Sequence, residues 1–154
     1  MDTVIQSVTL NTSKEEAWKV LADFGNAHKY FKGIQNAYLM TEQQSGVGTI
    51  RHCDLPSMMG MKQFIDEEIT DWVEGEEFTY IVTNTAAPIK DGIARWRVEG
   101  DALHATIHVD IRYQAKGLMG HMMRSMLRKE FNKQIAVGLN DIKELLESRG
   151  KIAA

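Results

Sequence analysis

The last third of this chain constrains its fold most. From Leu118 to about Ser148 there is no proline, and only Gly120 and Gly138 are weak points. Met123, Leu127, Phe131, Ile135, Leu139, Ile142 and Leu146 recur at helical spacing, while Arg124, Arg128, Lys129, Lys133, Lys143 and Glu144 fall largely off that stripe. The pattern predicts one amphipathic helix of roughly 30 residues, about 45 Å long. The residues before it read as strands: Ile34 to Thr41, Thr49 to Leu55, Met61 to Trp72, Glu77 to Thr85, Ile93 to Glu99 and Leu103 to Gln114. Short punctuators separate them, among them Pro56-Ser57, Glu74-Gly75-Glu76 and Lys90-Asp91-Gly92. Links this short allow only antiparallel neighbours. A helix longer than any of these strands must therefore lie across the whole sheet.

At the other end of the chain, Val4 to Leu10 supplies a seventh strand. Ser13 and Glu16 have the spacing of a capping box, which starts a helix at Ser13 with Ala17, Trp18, Val20 and Leu21 on one face and Gly25 to stop it. Asn26 to Lys32 reads as a second short helix carrying Tyr30 and Phe31. No linker or repeat divides the 154 residues, so residues 1–154 are expected to form a single domain. The formal charge of -3 gives no basic field for nucleic acid, which is not an expected partner. No apolar run approaches the roughly 20 residues of a membrane span. A lone cysteine, Cys53, and a start without a leader-like apolar core give the expectation of a cytoplasmic protein. No sequence feature selects an oligomeric state. One oddity remains: of nine methionines, seven fall in two groups, Met58, Met59, Met61 and Met119, Met122, Met123, Met126.

A strand, two short helices, six antiparallel strands and a long final helix is the order of the helix-grip fold. The sequence resembles the superfamily of START-related lipid-transfer proteins, plant pollen allergens and hormone receptors, and bacterial polyketide cyclases. Val8 to Asp23, with Trp18, Leu21 and Asp23, is similar to that family's opening strand and "pxxxVWxxLxD" helix. Gly48-Thr49-Ile50-Arg51 is similar to its "GxxR" strand, and Glu67-Glu68-Ile69-Thr70-Asp71-Trp72 to its "ExIxxxD" strand. Arg112 to Gly120 resembles its "xYxPxGxxG" approach to the last helix, with Ala115 in place of the proline. The resemblance covers nearly the whole chain and implies an α+β helix-grip fold, in which a seven-stranded curved antiparallel sheet wraps around the C-terminal helix. It also implies a cavity between sheet and helix, the usual place for a small-molecule site.

Candidate site residues follow from parity. Glu67 shares strand phase with Ile65 and Ile69, and Arg51, in phase with Cys53 and Leu55, is its natural partner on the neighbouring strand. That pair is either a structural ion pair or a polar anchor or general acid/base, since buried charges are costly and often mark sites. His104 and His108 sit on a strand about 13 Å apart, too far to share a metal ion, and none is expected. The alternation of residues 103–113 against 104–112 leaves open which face lines the cavity, and a bulge could turn His108 or Asp110 inward. Cys53 reads as a buried inert thiol. No nucleophile elbow, phosphate loop or metal motif is present, so no cofactor is expected.

These features support three readings. In the first, a carrier or sensor takes a hydrophobic or amphipathic ligand, such as a lipid, polyketide or quinone, past the Met58 to Met61 loop. Phe31, Leu55, Met59, Phe64, Tyr80, Trp96, Met123 and Leu127 supply apolar contact, and Glu67 and Arg51 orient the polar end. In the second, a cofactor-independent cyclase or dehydratase uses Glu67 or His108 as acid or base. In the third, the methionine-rich surface docks a protein partner.

Overall fold

The computed structural model describes residues 1–153, with side chains through residue 149. Seven strands form one antiparallel sheet: β1 (Asp2–Leu10), β2 (Asn36–Leu39), β3 (Ile50–Met58), β4 (Met61–Val73), β5 (Glu77–Thr85), β6 (Ile89–Gly100) and β7 (Ala105–Ala115). Their spatial order is β1-β7-β6-β5-β4-β3-β2. The first strand pairs with the last, and β2 forms the far edge. Helix α1 (Lys14–Ala22) follows β1; α2 (Gly117–Met122) and α3 (Arg124–Ala153) follow β7. The sheet is curved and grips α3, so the helix-grip expectation holds.

Local chemistry explains the boundaries. Ser13 caps α1, its hydroxyl accepting from the Glu16 backbone N–H at 3.1 Å. The reciprocal half of the capping box does not form, because the Glu16 carboxylate turns to Lys19. Helix α1 ends at Ala22, before Gly25, and the second short helix is a 3-10 segment, Phe24–Lys29, rather than residues 26–32. Lys90-Asp91-Gly92 does not separate strands. It is a bulge inside β6, with Asp91 at φ 54, so β6 begins at Ile89. Strand β7 begins two residues late because the Asp101 carboxylate accepts from the backbone N–H groups of Leu103 and His104 and holds a turn there. The single long helix is also divided: Met123 leaves helical geometry at φ -92, ψ 1. At Gly120 a side chain would meet the Pro88 carbonyl at 2.5 Å, so α2 lies hard against the β5–β6 turn.

The apolar residues make two clusters. The larger, at one end, gathers Trp18, Leu21 and Phe24 with Phe78, Tyr80, Trp96, Val98, Ile107, Leu139 and Ile142. The smaller, at the other end, is Val4, Ile89, Tyr113 and Leu127, with Met58, Met123 and Phe131 packed on it. On β7 the odd residues face this interior and the even ones face out.

Candidate functional site

Between the two clusters the sheet and α3 do not close on each other. They leave a cavity of about 400 Å³, lined by residues of β3 to β7, the 31–34 segment and α3. Its walls are mainly apolar, including Leu55, Ile65, Ile89, Ile111, Phe131 and Ile135. Exposed lining residues mark its lips: Gly33, Pro56 and Ser57 on one side, Lys133, Gln134 and Val137 on the other. Gly138 makes this geometry possible, since a side chain there would lie 2.4 Å from the Phe31 ring, itself part of the wall.

The polar floor is built by strand pairing. Arg51 and Glu67 are direct neighbours across β3 and β4. Arg51 Nε donates to Glu67 Oε1 at 2.8 Å, and Arg51 Nη1 donates to the Phe24 carbonyl at 3.2 Å. Both side chains are almost fully buried. The guanidinium also lies 3.8 Å from the Phe24 ring centre and 5.2 Å from that of Tyr80. Burial works most strongly against the Arg51 charge, but the facing Glu67 carboxylate, together with the nearby Cys53, Tyr30 and Tyr80, outweighs it and holds the Arg51 pKa well above its ordinary value. Trp96 Nε1 donates to the Tyr80 hydroxyl at 3.3 Å. Burial pushes the Tyr80 pKa far up, with the Glu67 charge adding to the effect, so this hydroxyl stays protonated. Burial also pushes the Cys53 thiol up to about 12, which keeps it neutral and a poor nucleophile.

Of the residues expected at the site, Phe31, Arg51, Leu55, Glu67, Tyr80 and Trp96 line the cavity. Four others do not. Met59 projects from the β3–β4 turn and is exposed. Phe64 lies on the outer face, stacked on His52 at 5.7 Å between ring centres, because its phase on β4 is opposite to that of Glu67. Leu127 is sealed in the small cluster, with Met123 packed on it. His108 also lies on the outer face: the register of β7 with both neighbours runs unbroken from Thr106 to Arg112, so no bulge turns it inward, and its ring bonds Glu99 at 3.1 Å.

The cavity also uses residues not singled out beforehand: Gln63, Ile89, Ile111, Tyr113, Phe131, Ile135 and Gly138. Gln63 and Ile111 share the phase of inward-facing neighbours, and Phe131 and Ile135 belong to the helical stripe, so periodicity carried a signal for them. Among the described residues no group of three His, Cys, Asp or Glu side chains could hold a metal ion, and no helix is long and apolar enough to cross a membrane.

A largely apolar cavity with open lips and a few buried polar groups has the usual form of a small-molecule site, here on a helix-grip fold. The chain belongs to the family described as polyketide cyclase / dehydrase and lipid transport, whose model matches residues 1–147. No curated protein matches it in sequence. Among solved structures it is similar to the Zhui aromatase/cyclase from Streptomyces sp. R1128, with a TM-score of 0.81, 20% identity and coverage of 99% of this chain and 98% of that one. It is also similar to a START superfamily protein from Mycobacterium smegmatis, with a TM-score of 0.74, 14% identity and coverage of 94% and 98%. The third is the protein XoxI from Bacillus cereus, at 0.77, 17% identity and coverage of 95% and 96%. At these identities the likeness is one of fold.

Proposed function

We propose that this protein binds a small hydrophobic or amphipathic molecule, such as a lipid, polyketide or quinone, in its cavity and acts as a carrier or sensor. The observation that supports this reading best is the cavity itself: about 400 Å³ of mostly apolar wall held open between two separately packed clusters. Apolar burial, about 25 cal/mol per Å², drives binding, and ordering costs reduce the yield. Glu67, Arg51 and Gln63 orient the polar end of the ligand. Because Arg51 and Glu67 already neutralise each other, a neutral hydrogen-bonding group suits this floor better than a free charge.

A second reading, a cofactor-independent cyclase or dehydratase, is favoured by one placement, that of the Glu67 carboxylate on the cavity wall. In that case Glu67→Gln abolishes turnover while the fold persists. For the carrier, a thermal-shift screen against lipids, polyketides and quinones raises the melting temperature for at least one class. Gly138→Leu, which drives the Phe31 ring into the cavity, removes that rise. A protein that no class stabilises contradicts the reading.

A further inference from the structure

The strand ends at which β3, β5 and β7 finish and β1, β4 and β6 begin share one end of the sheet, and α2 and the start of α3 lie there too. Met59 and Met61 at the β3–β4 turn, Leu118, Met119 and Met122 on α2, and Met126 at the start of α3 are all exposed at this end. On α2 the one buried residue is Gly120. The turn itself breaks a local rule. Met58 pairs with Met61, leaving a two-residue loop in which Met59 has φ 52 and Gly60 φ 76. Both positions of such a turn favour Asn, Asp or Gly. A methionine held in left-handed backbone with its side chain in solvent is strained without gaining any packing, a pattern found where function requires it.

The charge around these side chains is equally one-sided. Residues 58–62, 85–91 and 115–129, together with Asp2, contain Lys62, Lys90, Lys116, Arg124, Arg128 and Lys129 against Asp2 and Asp91. That is a local balance of +4 in a chain of net charge -3, so the remainder carries -7. Asp2 is buried between Arg124 and Arg128, whose own side chains are half exposed.

We propose that this end docks on an anionic lipid membrane, with Met59, Leu118, Met119 and Met122 entering the headgroup boundary and the flanking Lys and Arg side chains resting on lipid phosphates. Two features favour a bilayer over a protein partner. The apolar side chains stand on separate protruding elements, a hairpin tip and a short helix, and so form points of insertion rather than a groove. Their surround is cationic, which complements the negative surface of an anionic leaflet. Met58 also lines the cavity while its neighbour Met59 projects outward, so the insertion points adjoin one lip of the cavity and an apolar cargo has a short path between cavity and lipid. The docking stands whatever the cargo is.

The test is co-sedimentation of the full chain with vesicles of phosphatidylcholine alone and of phosphatidylcholine mixed with phosphatidylglycerol. The expected result is partitioning onto the mixed vesicles at least about tenfold stronger than onto the neutral ones, weakened by added salt as surface charges are screened. Leu118→Glu with Met122→Glu, both at exposed positions, lowers it at least about tenfold, and Leu103→Glu at the opposite end leaves it unchanged. Lys62→Gln with Lys116→Gln and Lys129→Gln removes the preference for phosphatidylglycerol. Absence of binding to the mixed vesicles, or binding that the Leu118 and Met122 variant does not weaken, overturns the proposal. Self-association or capture of a protein through this surface by a chain that ignores vesicles also overturns it.

Discussion

The two ends of the molecule are built by opposite means. At the closed end, around α1 and the turns at residues 73–77 and 98–104, Trp18, Phe24, Trp72 and Phe78 pack edge to face and stacked at 5.1 to 6.0 Å between ring centres. Segments 13–19, 73–77 and 98–104 carry seven carboxylates and two lysines. At the open end the apolar groups are methionine and leucine side chains in solvent, the charge is positive, and the buried cluster has four members. Rigid aromatic packing suits an end that only has to hold the sheet on its helix. Unbranched, pliable side chains suit an end that meets something else. The cavity lies between these two ends.

The largest expected effects are at the closed end and on the floor that it supports. Phe24→Ala removes a ring with no exposed surface that carries the Arg51 guanidinium, and should cost about 3–5 kcal/mol by urea unfolding. Arg51→Met strands Glu67 in the interior and should cost a similar 3–5 kcal/mol, whereas the double variant with Glu67→Met recovers much of that loss. If the single and double variants unfold alike, the pair is not the closed unit described.

The open end should respond in the opposite sense. Met59→Gly relieves left-handed backbone and is expected to raise stability by about 0.5–1 kcal/mol while weakening vesicle binding. A loss of stability would mean that Met59 packs in solution.

The pH responses are smaller and also differ by region. At the open end, Arg124 and then Arg128 hold the Asp2 pKa below its ordinary value near 3.8 despite the opposing effect of burial. That stability is present above the ordinary value and is lost as pH falls through the folded one. On the outer face of β3, burial acts to lower the His52 pKa, but bonds to Asp54 at 2.9 Å and Asp66 at 2.5 Å raise it above its ordinary 6.5. Its contribution is full below 6.5 and is lost as pH rises through the higher folded value. Melting temperature against pH should therefore decline on both sides. Asp2→Asn flattens the acid limb and His52→Gln the alkaline one.

Alternation on each strand carried much of this architecture. Arg51 and Glu67 were legible as a pair because each shares phase with apolar neighbours and their strands are adjacent. Phe64 shows the converse: its apolar character suggests the interior, but its phase opposes that of Glu67 and places it on the outer face. Leu127 and Met123 fit the helical stripe, but a stripe says that a residue is buried and not whether sheet or cavity faces it. That depends on position along α3, which only the fold supplies. In sequence, the bulge at Asp91 has the same signature as a break between strands, because local turn chemistry is the same in both. The two methionine groups lie at one end of the molecule, with most of their side chains outside the cavity, a proximity that spacing in the sequence does not show.

Native mass spectrometry of gently purified protein reads directly whether the cavity holds a ligand. A copurified hydrophobic molecule is expected on the wild-type chain and none on a folded Gly138→Leu variant. An empty wild-type chain whose mass spectrum stays unchanged after incubation with lipids, polyketides and quinones would contradict it.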